Sequence, residues 1–115
     1  MIVDTSAIAA LIGREPEAET IDRALRAAGR PRISAATLVE LHAVVDARTT
    51  PEQRRAVDAL LEAYDVEVVP FTAEHAAAAR EAYRDFGRGS GHPARLNLGD
   101  SYSYALASVE GDCLL

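Results

Sequence analysis

Four short apolar runs are separated by segments whose hydrophobic residues recur at helical spacing, and this alternation constrains the fold more than any other feature. The runs are Ile2-Val3, Arg32-Ile33-Ser34-Ala35, Val66-Glu67-Val68-Val69-Pro70 and Asp112–Leu115. The third is rich in β-branched residues and closes on a proline, as strands do. Between them, Asp4-Thr5-Ser6 offers three N-caps in a row for a helix over Ala7–Gly13. Ile21, Leu25 and Ala28 mark one helical face after Pro16, and Val57, Leu60, Leu61 and Tyr64 mark another after Thr50-Pro51-Glu52. Thr72 is placed to cap a helix reaching Phe86, and Gly99-Asp100-Ser101 to open a last one to about Val109. Strands joined through helices run parallel, so the chain reads as α/β, with a mostly parallel central sheet flanked by helices. Thr37–Ala47 is apolar on nearly every side, which predicts a helix inside the protein rather than on its rim. Gly87 to Leu98, with three glycines and a proline, is expected to be a loop.

Composition removes several classes of chemistry. At 115 residues, without repeats or linkers, residues 1–115 suit one compact domain. All 12 basic residues are arginine, which excludes Schiff-base chemistry and a P-loop lysine. A net charge of −6 argues against a simple basic clamp on nucleic acid. Cys113 is the sole cysteine, so neither an intramolecular disulfide nor a cysteine-based zinc site is expected. No apolar run approaches the roughly 20 residues of a membrane span, and the residues after Met1 do not read as a secretory leader, so none is expected.

Most of the 18 acidic residues alternate with arginines on solvated helix faces. Three sit elsewhere. Asp4 directly follows the first strand, where α/β folds bind ligands, although it could simply cap the next helix. Glu40 lies between Val39 and Leu41 on the most apolar helix; an ionised carboxylate there needs an arginine, water or a metal. Asp100 stands at the mouth of the last helix, where a plain N-cap is the alternative. Converging carboxylates repel one another unless a divalent cation neutralises them, and all-oxygen ligands suit Mg²⁺ or Mn²⁺. The histidines offer no competing site. His42 reads as a core or interface residue, His75 as exposed, and His92 as a loop residue that either meets substrate or is structural. Cys113 is expected to pack in a buried strand, and Tyr102 to pack in the core rather than stack on bases with Tyr104.

Three blocks of the sequence carry a family resemblance: Met1-Ile2-Val3-Asp4-Thr5-Ser6-Ala7, Thr37-Leu38-Val39-Glu40-Leu41 and Leu96–Ala107, the last preceded by Gly91-His92-Pro93-Ala94. Together and in this order they resemble the signature blocks of PIN domains, and more narrowly of the VapC toxins of bacterial VapBC toxin–antitoxin modules. The resemblance implies a PIN-like fold and a cytoplasmic bacterial endoribonuclease dependent on Mg²⁺ or Mn²⁺. It also implies a homodimer, inhibition by a cognate VapB antitoxin, and a tRNA or rRNA substrate hydrolysed by metal-activated water. Asp4, Glu40 and Asp100 match the family's first three acidic positions as catalytic and metal-binding residues, Glu40 binding directly or through water. Thr5 and Ser6 match the supporting polar positions, expected to hold the Asp4 carboxylate or a metal-bound water. Arg88 and Arg95, and with less reason Arg14, are candidates for RNA phosphate contacts. The family usually continues past a strand matching Cys113-Leu114-Leu115 into a fourth acidic residue, so the chain reads as C-terminally truncated; Asp112 precedes that strand and is not a substitute.

Two other α/β classes fail on the residues. A phosphoacceptor receiver domain needs a lysine, and a haloacid-dehalogenase-type phosphatase needs Asp-x-Asp where this chain has Asp4-Thr5-Ser6. A non-catalytic PIN-like protein-binding module remains as the alternative.

Overall fold

The computed structural model describes residues 1–48 and 50–115. Its helices are α1 (Thr5–Ile12), α2 (Ala18–Ala27), α3 (Ala35–Arg48), α4 (Pro51–Ala63), α5 (Ala73–Phe86) and α6 (Leu98–Glu110). Its strands are β1 (Arg32–Ser34) and β2 (Glu67–Val69), paired in parallel with Ile33 opposite Val68. Ile2 extends this pair through parallel bridges to Arg32 on one side and Leu114 on the other. Val3 N–H donates to the Arg32 carbonyl at 2.8 Å, and Leu115 N–H to the Ile2 carbonyl at 2.9 Å. All four predicted runs therefore join one parallel sheet. The two terminal ones contribute bridges rather than strands, because the chain turns helical at Thr5 and Asp112 is drawn aside to the Met1 ammonium at 2.7 Å.

Local chemistry sets most helix starts. Thr50 and Thr72 each close a capping box, with Gln53 and His75 as the reciprocal partners. That role buries His75 to 2% exposure, against the expectation of an exposed residue; its ring also meets Phe71 edge-on. The last helix begins earlier than expected. Asn97 is its N-cap, and Asp100 sits three residues further on, its Oδ2 accepting the Asn97 N–H at 3.1 Å.

The core gathers Val3, Ile8, Leu25, Ile33, Leu41 and Val57 between the sheet and the helices, with Ile2 and Leu106 in a second cluster. Each such side chain contributes about 1.5–3 kcal/mol by burial. Helix α3 is less enclosed than its composition predicts. Thr37 and Leu41 are buried, but Val39 is 69% and Val44 42% exposed. One face packs on the sheet and α6 while the other borders open clefts, so apolar character all round does not mean burial all round. His42 correspondingly lies at the surface, its Nε2 3.1 Å from Asp58, and not in the core. Cys113 is exposed rather than packed, although its carbonyl accepts the Ile2 N–H at 2.7 Å.

Parallel strands share one carboxyl edge. Asp4 leaves that edge after Val3, and α3 leaves it after Ser34. The first turn of α6 comes to the same place, which is where α/β folds form ligand crevices.

Candidate active site

A cleft of about 450 Å³ opens at this edge, and its lining includes Asp4, Thr5, Ser6, Glu40, Asn97, Gly99 and Asp100. All three acidic residues singled out from the sequence thus meet in one place, with both predicted supporting residues. Arg88 and Arg95 are exposed in the preceding loop and outside the cleft lining.

The alternatives fare differently: Asp100 does take part in a helix cap and Glu40 does border an open cleft, whereas Asp4 caps nothing with its side chain. Asp4 occupies the N-cap position of α1, yet its side chain makes no capping hydrogen bond. Its Oδ1 instead accepts from the Ser103 hydroxyl at 2.7 Å. Glu40 has no arginine partner among the described residues; its Oε1 accepts from Thr5 Oγ1 at 2.8 Å. Of the supporting roles expected of Thr5, its backbone N–H serves the Asp4 carboxylate, while its hydroxyl, on the first turn of α1, turns toward α3. Asp100 commits one oxygen to the Asn97 capping box, and its other oxygen has no protein partner among the described residues. Ion pairs elsewhere engage Asp22, Asp46, Asp58, Asp65, Asp85 and Asp112, but none among the described residues engages Asp4, Glu40 or Asp100.

Burial pushes the Asp4 carboxyl above the ordinary aspartate value. The Ser103 hydroxyl and the Thr5 backbone N–H pull it back, and the Asp100 charge pushes it up again. Desolvation is the largest of these effects, and the neighbouring Asp100 carboxylate adds to it. Hard oxygen donors are the ligand type Mg²⁺ and Mn²⁺ select. No three His, Cys, Asp or Glu residues among the described ones form a ready-made metal cage.

Three contributors were not legible as site residues. Ser103 and Thr37, both without solvent exposure, stand behind Asp4 and are linked to each other at 3.0 Å. Gly99 lies so close to Glu40 that a Cβ there would fall 1.3 Å from Oε2. Gly99 and Ser103 fall within the third family block and Thr37 opens the second, but neither block by itself marks them as partners of an acidic residue.

Comparison with known proteins fits this geometry. The PIN-domain family model matches residues 1–115. The chain belongs to the PIN-domain family. Within it the chain stands among VapC ribonucleases, as the three sequence blocks implied. It is 53% identical over 115 residues to Ribonuclease VapC42 of Mycobacterium tuberculosis, spanning 100% of this chain and 88% of that protein. It is 50% identical to Ribonuclease VapC28 of the same organism, spanning 100% of this chain and 86% of that one. Among solved structures, M. tuberculosis VapC20, a sarcin–ricin loop cleaving toxin, superposes with a TM-score of 0.68 at 23% identity, covering 96% of this chain and 83% of that one. A toxin–antitoxin complex from Klebsiella pneumoniae gives a TM-score of 0.69 at 18% identity, covering 98% and 82%. The fold is thus PIN-like α/β and the activity that of a VapC-type nuclease. A non-catalytic module is not favoured beside full-length ribonuclease relatives of this identity.

Proposed function

We infer that this PIN-domain nuclease hydrolyses RNA phosphodiester bonds, with Asp4, Asp100 and Glu40 holding Mg²⁺ or Mn²⁺. The observation that carries the reading is the convergence of three carboxylates, none in an ion pair among the described residues, on one cleft at the carboxyl edge of a parallel sheet. When bound, the cation supplies charge neutralisation at the phosphoryl oxygens and lowers the pKa of water. The protein's own groups supply orientation and proton handling. The Ser103 hydroxyl, donating to Asp4 Oδ1, favours the ionised carboxylate and restrains its orientation. Asn97 fixes Asp100 from one side, so its remaining oxygen can face the ligand. Glu40, steadied by Thr5, is positioned to orient or deprotonate the attacking water. Such hydrolysis leaves a 5′-phosphate and a 3′-hydroxyl, and needs no 2′-hydroxyl nucleophile.

Substrate phosphates meet Arg88 and Arg95 on the loop that leads into the cleft. Arg95 holds a left-handed backbone conformation, φ +47°, which is uncommon for a non-glycine residue and marks a specified loop geometry. Neither arginine has an ion-pair partner among the described residues, so both guanidinium groups are available to phosphate. Structured RNA of the tRNA or rRNA class is the proposed substrate.

Membership of the VapC group supports a VapB antitoxin as partner and a homodimer as the working form. Val39 and Leu98, 69% and 54% exposed beside the cleft, offer apolar surface to such contacts. No helix among the described residues is long and apolar enough to cross a membrane. Cleavage of a tRNA and rRNA panel with Mg²⁺, Mn²⁺ or EDTA tests the proposal. Cleavage that persists in EDTA, or that ends in a 2′,3′-cyclic phosphate, refutes it.

A further inference from the structure

Two hydroxyls behind the cleft are wholly enclosed: Thr37 and Ser103 are each 0% exposed. Ser103 Oγ donates to Asp4 Oδ1 at 2.7 Å, and Thr37 Oγ1 lies 3.0 Å from Ser103 Oγ. A serine hydroxyl carries a single proton. With that proton committed to Asp4, Thr37 must donate to Ser103. The bonds therefore run one way, from Thr37 through Ser103 to Asp4. In a dry interior each bond polarises the next, and deleting one member leaves a buried polar atom unpaired.

The positions along the helices add a second point. Thr37 precedes Glu40 by three residues on α3, and Ser103 follows Asp100 by three residues on α6. Residues three apart share a helix face, so each hydroxyl sits one turn from one of the acidic residues. The contact between the hydroxyls thus joins α3 to α6 directly behind Asp4.

We propose that Thr37 and Ser103 are positioning residues, a one-way buried relay that sets the Asp4 carboxylate for its divalent cation. The proposal rests on Asp4 being a ligand. Neither hydroxyl touches substrate; both act through Asp4, as outer partners of metal ligands do. A filler role would be met equally well by alanine at Ser103 and by the isosteric valine at Thr37.

Calorimetric Mn²⁺ binding, thermal melting and RNA cleavage rates on the full chain separate these roles. Ser103→Ala should keep a cooperative melt yet weaken Mn²⁺ binding about 10–100-fold, with kcat falling in step. Thr37→Val should show a smaller loss of the same kind, and Thr37→Ser, which keeps the hydroxyl, should restore binding. The double variant S103A/T37V should bind Mn²⁺ no more weakly than S103A, because Thr37 acts only through Ser103. Additive losses overturn the relay. So does wild-type Mn²⁺ affinity in S103A when Asp4→Asn has lost it. If Asp4→Asn itself binds Mn²⁺ like wild type, the ligand assignment fails and takes the relay with it. Should S103A not fold, the T37V and T37S pair decides alone, equal Mn²⁺ affinities in the two being the refuting result.

Discussion

Replacing Gly99 by alanine adds a single methyl group, and the structure says where it goes. A Cβ at this position would lie 1.3 Å from Glu40 Oε2, 2.2 Å from Cδ and 2.6 Å from Oε1, where real contacts stay beyond 3.0 Å. The obstruction is a carboxylate rather than backbone, so the helix can persist while Glu40 retreats by roughly 2 Å. That movement breaks the 2.8 Å bond from Thr5, whose charged acceptor makes it worth about 1.5–3 kcal/mol. Alanine recovers roughly 0.5–1 kcal/mol of helix propensity over glycine, leaving a modest net loss of stability. Activity should suffer more, because misplacing a catalytic group by about 1 Å costs on the order of a hundredfold. The expected signature of Gly99→Ala is therefore a small drop in Tm with a hundredfold drop in kcat/KM. Continuous cleavage of a fluorogenic RNA in Mg²⁺ and differential scanning calorimetry measure the two. Adding Glu40→Asp shortens the side chain by one methylene and should return part of the lost activity to G99A. Activity within twofold of wild type in G99A, or no recovery in G99A/E40D, refutes the argument.

Four further outcomes follow from the same geometry. Asp4→Asn and Asp100→Asn should each lose most divalent-dependent cleavage while keeping the wild-type circular dichroism spectrum; full activity in EDTA for either contradicts the assignment. Arg88→Ala and Arg95→Ala should weaken RNA binding and each lower the slope of log K against log salt by about 1, measured by fluorescence anisotropy. Leu106→Ala, at a side chain with no exposure, should cost about 2–5 kcal/mol in urea unfolding, without altering the cleavage products. The Met1 ammonium, with Arg32, holds the Asp112 carboxyl well below the usual aspartate range. A depressed folded value means stabilisation that is complete above the unfolded pKa of about 3.9 and lost as pH falls through the folded value. Asp112→Asn should thus lower Tm at pH 7, and the deficit should shrink below pH 4; equal deficits at pH 7 and pH 3 count against the pairing.

Features that depend on a few neighbouring residues were legible in the chain. Thr50 and Thr72 announced their helices because a capping box is completed within four residues. Val57 and Leu25 showed their inward faces through helical periodicity. The candidate site was legible for a different reason. Asp4, Glu40 and Asp100 belong to three blocks whose order resembles a family, and each block carries its acidic residue at a fixed place. Exposure was read less well. His75 departs from its expected exposure because its capping role turns the ring inward, and His42, Val39 and Val44 depart from expected burial because an apolar helix can still border a cleft.

By itself, then, the sequence determined the alternation of strands and helices, the absence of lysine chemistry and the acidic residues proposed for the site. These are matters of composition and of contacts a few residues apart. The tertiary structure alone decided how those residues are held. Ser103 meets Asp4 across 99 positions, Thr37 meets Ser103 across 66, and Thr5 reaches Glu40 across 35. Gly99 matters only because α3 brings a carboxylate against its backbone. No local pattern encodes such pairings. They exist once the parallel sheet sets Asp4 and α3 at its carboxyl edge and α6 packs beside them, leaving two buried hydroxyls only each other and Asp4 to bond.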